Sequence, residues 1–149
     1  MGRAVSRWKP LFTRSGWCAL VVLFGAAHAA TPNSTAWDTA CALAGYSCTN
    51  IPPPLVFHGP LGVLDGHYKM GNAYVQVNFY VAGNIAYAVT VHEMVHYLQW
   101  QHRAWTFKHE NRCKMEREAF VVSNLVLRRL GETRQVPWDS VKAYYGCRA

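Results

Sequence analysis

Charged side chains are scarce in this chain. They make up 15% of 149 residues, against 51% hydrophobic ones, a balance that excludes a disordered polyelectrolyte. No apolar run reaches the ~20 residues that cross a bilayer as a helix. No CxxC pair occurs, which argues against a cysteine-built zinc site. Internal repeats and low-complexity segments are missing too, so solenoid and tandem-array architectures are excluded. The length suits one domain, not two.

What charge there is lies unevenly. The formal net charge is +7, which taken alone points to nucleic acid or an acidic membrane surface. Four of the cations, Arg3, Arg7, Lys9 and Arg14, precede the first apolar run, Gly16–Ala27. That run is followed by Ala27-His28-Ala29, a small-x-small cleavage pattern, so residues 1–29 read as a signal peptide and 30–149 as a single exported domain. No cysteine directly follows the cleavage pattern, which argues against a lipoprotein. An uncut signal would instead give a membrane-anchored basic protein. Removal of the four cations leaves 11 Lys+Arg against 8 Asp+Glu, a net charge of +3. No nucleic-acid partner and no stable membrane insertion are then expected.

The exported part keeps four cysteines, Cys41, Cys48, Cys113 and Cys147. An even number in an exported chain predicts two disulfides. Three pairings exist. Cys41–Cys48 with Cys113–Cys147 is favoured, because the first closes locally and the second ties down the C-terminus. Closing about 34 residues is worth roughly 3–4 kcal/mol in the chain-entropy model.

The pattern predicts a short helix over Ala36–Ala44, capped by Ser34 or Thr35 and ended by Gly45. Ile51-Pro52-Pro53-Pro54 is a stiff connector into a strand at Leu55–His58. Gly59–Gly71 reads as turns with a hairpin around Asp65-Gly66. Ala73–Val81 alternates, with Ala73, Val75, Val77, Phe79 and Val81 on one face, and predicts a half-buried strand. Asn84 is a candidate cap for a helix over Ile85–Arg103. A loop at Ala104–His109, a helix over Glu110–Leu130 and a last helix from Pro137 to Tyr145 complete the chain. One helix, a few strands, then helices favour an α+β fold.

Inside the long helix stands His92-Glu93-Met94-Val95-His96, an HExxH motif. Residues four apart lie nearly above one another on a helix, so both imidazoles can reach one metal ion. Glu93 is rotated by about a quarter turn, where it can take a proton from water beside that metal. By composition, HExxH arises by chance in about one such chain in a hundred.

A zinc site of this kind needs a third protein ligand. The chain resembles the gluzincins, the zincin group whose third ligand is a Glu on a later helix, here in a small bacterial exported form. Glu116-Arg117-Glu118-Ala119 is similar to their ExxA signature, and the resemblance selects Glu116, twenty residues beyond His96. Periodicity leaves Glu116 and Glu118 open, because both flank the apolar stripe Met115, Ala119, Val122 and Val126. The metzincin pattern is absent, since Tyr97–Arg103 contains no glycine. Where many gluzincins carry an Asp four residues after the ligand Glu, this chain has Phe120, so support for the histidines must come from elsewhere.

The resemblance covers about Ala73–Leu130. It implies a minimal zincin holding Zn2+ on His92, His96 and Glu116, with Glu93 as general base for peptide-bond hydrolysis. The partner is then a peptide or protein substrate, and a protein partner that completes the cleft is compatible with so small a domain. It also implies an edge strand beside the HExxH helix. Ala73–Val81 stands in that place, with simple core packing as the equal reading. His102, His109, Tyr97, Tyr144 and Tyr145 are candidate oxyanion donors, none selected by the sequence. Trp100, Trp105 and Trp138 could floor a groove or pack in the core. The reading from a different class is a non-catalytic zinc-binding or interaction domain.

Overall fold

The triple proline ends in a strand, as the β-branched and aromatic residues after it demand, and that strand organises a small mixed sheet. The computed structural model describes residues 31–32, 34–62, 64–102 and 109–147. In chain order these form β1 (Thr31–Pro32), α1 (Ser34–Leu43), β2 (Leu55–Gly59), β3 (Gly66–His67) and β4 (Tyr74–Asn78), then α2 (Gly83–Gln101), α3 (His109–Arg129) and α4 (Trp138–Tyr145). The fold is α+β, as expected. The predicted signal segment and most of the predicted Ala104–His109 loop lie outside the described residues. Among the described residues, no helix is long and apolar enough to cross a membrane.

The sheet order is β1-β2-β4-β3. β2 and β4 run parallel, Val56 beside Val75 and His58 beside Val77, while β3 pairs antiparallel with β4. Two expectations are corrected here. The Ala73–Val81 segment forms the interior strand β4, so of its two equal readings core packing holds and the edge reading does not; the sheet edges are the two-residue β1 and β3. The β3–β4 connection turns at residues 69–72, where Asn72 N–H bonds to Lys69 O at 3.1 Å, so Asp65-Gly66 begins a strand instead of turning a hairpin.

β4 is also shorter than its alternation. Val75 and Val77 are fully buried, but Phe79 and Tyr80 are exposed. Asn78 ends the strand. Its Nδ2 donates to Leu64 O at 2.8 Å and its Oδ1 accepts Tyr80 N–H at 3.3 Å, bonds that turn the chain out of the ladder. Gly83, at φ +59°, then opens α2 with Ala82 as N-cap. Asn84 is not the cap; its Nδ2 donates to Glu132 Oε1 at 2.9 Å.

α2 packs on the sheet at β3 and β4, with α1 and α3 also against it, and its Val91, Met94, Val95 and Leu98 share one buried cluster with Val56, Val75 and Val77. It is therefore buried on nearly every side, polar residues Thr90, His92, Glu93 and Gln99 included. α3 presents Met115, Ala119, Val122 and Val126 to this core, the stripe read from the sequence.

Both predicted disulfides are present, Cys41–Cys48 and Cys113–Cys147. The first joins α1 to the segment after it. The second ties the end of α4 to α3, thirty-four residues back. Such bonds point to an oxidising environment. Protein purified without reductant should therefore show no alkylation at these four cysteines by intact mass. Four alkylated cysteines without prior reduction would overturn the pairing.

Candidate metal centre

Helical geometry and helix packing bring three predicted residues together. His92 and His96 lie one turn apart on α2, and Glu116 faces them from α3. The Nε2 atoms of the two histidines are 3.1 Å apart. Glu116 Oε2 lies 3.5 Å from each of them. One ligand atom from each residue falls within 4.8 Å of the others. All three side chains are largely buried.

Glu116 Oε2 is buried without a hydrogen-bond partner. An unsatisfied buried polar atom costs about 1–3 kcal/mol, and a cation between the three residues would satisfy it. Two imidazoles and a carboxylate are a donor set that divalent transition metals accept. His92, His96 and Glu116 could hold a metal ion. Glu118, the competing carboxylate, is turned away from the group and accepts hydrogen bonds from Tyr46 and Gln99.

Burial pushes the Glu93 carboxyl above its ordinary range, against the opposing pull of His92 and His96. Burial likewise opposes charge on His96, but the Glu116 and Glu93 carboxylates outweigh it and raise its pKa to about 9. For Glu116, burial raises the pKa and the two imidazoles more than reverse it, leaving the carboxyl below its usual range. The imidazoles thus favour the charged form of Glu116, while burial favours the neutral form of Glu93.

Glu93 meets the sheet at Gly66 on β3. A Cβ at Gly66 would stand 2.6 Å from Glu93 Oε1 and 2.6 Å from Val89 Cγ1. Only a glycine lets the edge strand come this close to α2. Gly66→Ala should displace Glu93 or lift β3 away, leaving metal content unchanged and cutting any hydrolysis by about 10²-fold. Metal analysis beside a rate measurement checks this; an unaffected rate would mean the approach is incidental.

Phe120, standing where the resemblance calls for an Asp, packs its ring on His92 at a centroid distance of 4.4 Å. The hydrogen-bond support goes to His96 instead, where Gln99 Oε1 lies 2.8 Å from Nδ1. Sequence reasoning missed Gln99, although its spacing of three from His96 on a helix is a neighbour's spacing. It also missed Gly66, for which the sequence holds no signal.

The oxyanion candidates separate. Tyr97 is buried and its hydroxyl donates to Pro52 O at 3.1 Å. His102 bonds to Ser47 O at 2.7 Å and stacks on Tyr46. Tyr145, on α4, hydrogen-bonds to the Glu116 carboxylate, with the Arg112 guanidinium 4.7 Å above its ring. Burial and the Glu116 charge push its hydroxyl above the ordinary range, which keeps it a donor. The side chains of His109 and Tyr144 lie outside the described part, as does Trp105. Trp100 packs against the core.

Comparison with protein-family models, with curated proteins and with solved structures finds no match to this chain.

Proposed function

We propose that this chain is an exported zinc metallopeptidase of minimal gluzincin type. One observation carries the reading: a buried glutamate outside the ligand group, Glu93, stands beside His92, His96 and Glu116 and against the backbone of an edge strand. Zinc suits two imidazoles and one carboxylate with a position left open. When bound there, zinc supplies Lewis acidity that polarises a carbonyl and acidifies water.

The remaining work belongs to the chain's own residues. His92, His96 and Glu116 hold the ion. Glu93, with a carboxyl that burial makes more basic, takes the proton of the attacking water and delivers it to the leaving amine. The outer edge of β3 offers backbone groups to an extended peptide beside Glu93. Tyr145 is the donor that supports charge developing on the carbonyl oxygen, because its hydroxyl already reaches the ligand Glu116. Export is supported by the signal-like N-terminus and by the two disulfides.

A mixed peptide library incubated with zinc-loaded protein and read by mass spectrometry tests this. Cleavage products that a chelator abolishes are expected. Full zinc content with no cleavage of any peptide would overturn hydrolysis and leave a non-catalytic zinc-binding domain.

A further inference from the structure

We propose that the Cys41–Cys48 loop sets the metal affinity of the site, through a chain of hydrogen bonds that ends on His96. The proposal rests on the metal-binding part of the reading above and not on hydrolysis.

The chain starts at His96. Its Nδ1 lies 2.8 Å from Gln99 Oε1. An amide oxygen only accepts, so Nδ1 carries the proton and Nε2 keeps its lone pair for a metal. The amide cannot turn over. Gln99 Nε2 faces two atoms that only accept, Met115 O at 3.1 Å and Glu118 Oε2 at 2.8 Å. A flipped amide would set oxygen against both. Gln99 is 1% exposed, so water cannot stand in for these bonds.

Glu118 passes the order outward. Its Oε2 also accepts the Tyr46 hydroxyl at 2.9 Å. Tyr46 lies between Cys41 and Cys48, inside the closed loop. The same loop is held to the end of α2 by His102, which stacks on Tyr46 at 5.2 Å and donates to Ser47 O at 2.7 Å. The loop therefore grips α2 and α3 together, at the level of the ligand histidine. Gln99, Glu118 and Tyr46 are positioning residues: none is in the ligand group, and each acts on the metal through His96.

Loss of the far end should propagate. Without the Tyr46 hydroxyl, Glu118 loses one of the two donors that hold Oε2 in place, and its carboxylate can rotate away from the Gln99 amide. The His96 tautomer is then less well fixed, and metal binding weakens. Removal of a group that orients a ligand histidine typically costs 10–100-fold in metal affinity.

The test is the zinc dissociation constant, from competition with a chromophoric chelator, beside the His96 tautomer read by nitrogen-15 NMR of zinc-loaded protein, in which the ring carries a single N–H proton. Gln99→Met should weaken zinc binding by about 10–100-fold and mix the tautomers. Tyr46→Phe and the Cys41→Ser/Cys48→Ser pair should each weaken it by about tenfold. Combined, the two should cost little more than either alone, because they act through one path. Ser47→Ala, outside the path, should bind zinc as wild type does. If Gln99→Met fails to fold, the other variants still decide.

Tyr46→Phe and the cysteine pair both within twofold of wild type would overturn the proposal. So would weakened binding with the His96 tautomer unchanged, since the effect would then bypass His96. A wild-type chain that binds no zinc overturns this and the metal reading together. Absence of peptide cleavage touches neither measurement.

Discussion

Glu93→Gln is expected to keep zinc and lose hydrolysis, with kcat/KM lower by about 10²- to 10⁴-fold. The substitution preserves shape, so the close packing against Gly66 survives. It removes only the ability to accept a proton. Glu93 stands outside the ligand group, so the metal content should match wild type. Burial already disfavours its charge, so the neutral amide should leave the melting temperature equal or higher. Zinc-loaded Glu93→Gln cleaving at the wild-type rate would remove Glu93 from the mechanism. Loss of zinc in that variant would mean that it is a ligand after all.

Glu116→Gln is expected to lose both zinc and hydrolysis. An uncharged amide oxygen is a weak zinc ligand, and the two remaining imidazoles do not make a site. Metal analysis should show a fall from about one zinc per chain to a small fraction of that. His92→Ala with His96→Ala should do the same from the other helix. Glu118→Gln, two residues along α3, should still fill with zinc when the metal is in excess but bind it about tenfold more weakly, because Glu118 is outside the ligand group and acts through Gln99 and His96. Stoichiometric zinc in the double histidine variant would disprove the site. Empty Glu118→Gln beside full Glu116→Gln would reverse the roles of the two glutamates.

The contrast between those two glutamates marks where local reasoning stops. The HExxH pair was legible because two histidines four apart share a helix face whatever surrounds them. The disulfide pairing was legible from cysteine number and spacing, and the α3 stripe from its period. Glu116 and Glu118 flank that stripe on opposite sides, and only the resemblance separated them. How α3 is rotated against α2 decides which one meets the histidines, and packing sets that rotation.

The sheet divides in the same way. Alternation at Val75 and Val77 identified a strand, yet strand order depends on a partner, and a two-residue strand such as Gly66–His67 has no period to read. Its pairing with Gln76 and Val77 moved the predicted edge strand to the interior. The Asn84 cap failed because α2 begins one residue earlier, at Gly83 with Ala82 as N-cap, which places Asn84 inside the helix. By itself, then, the sequence determined the longer elements, the disulfides and two of the three candidate ligands, because each follows from spacing along the chain. The tertiary structure alone decided how Glu116 meets the two histidines, the approach of Gly66 to Glu93, and the path from Tyr46 to His96. Those depend on hydrogen bonds and contacts between residues up to seventy-two apart in the chain, where periodicity carries no information.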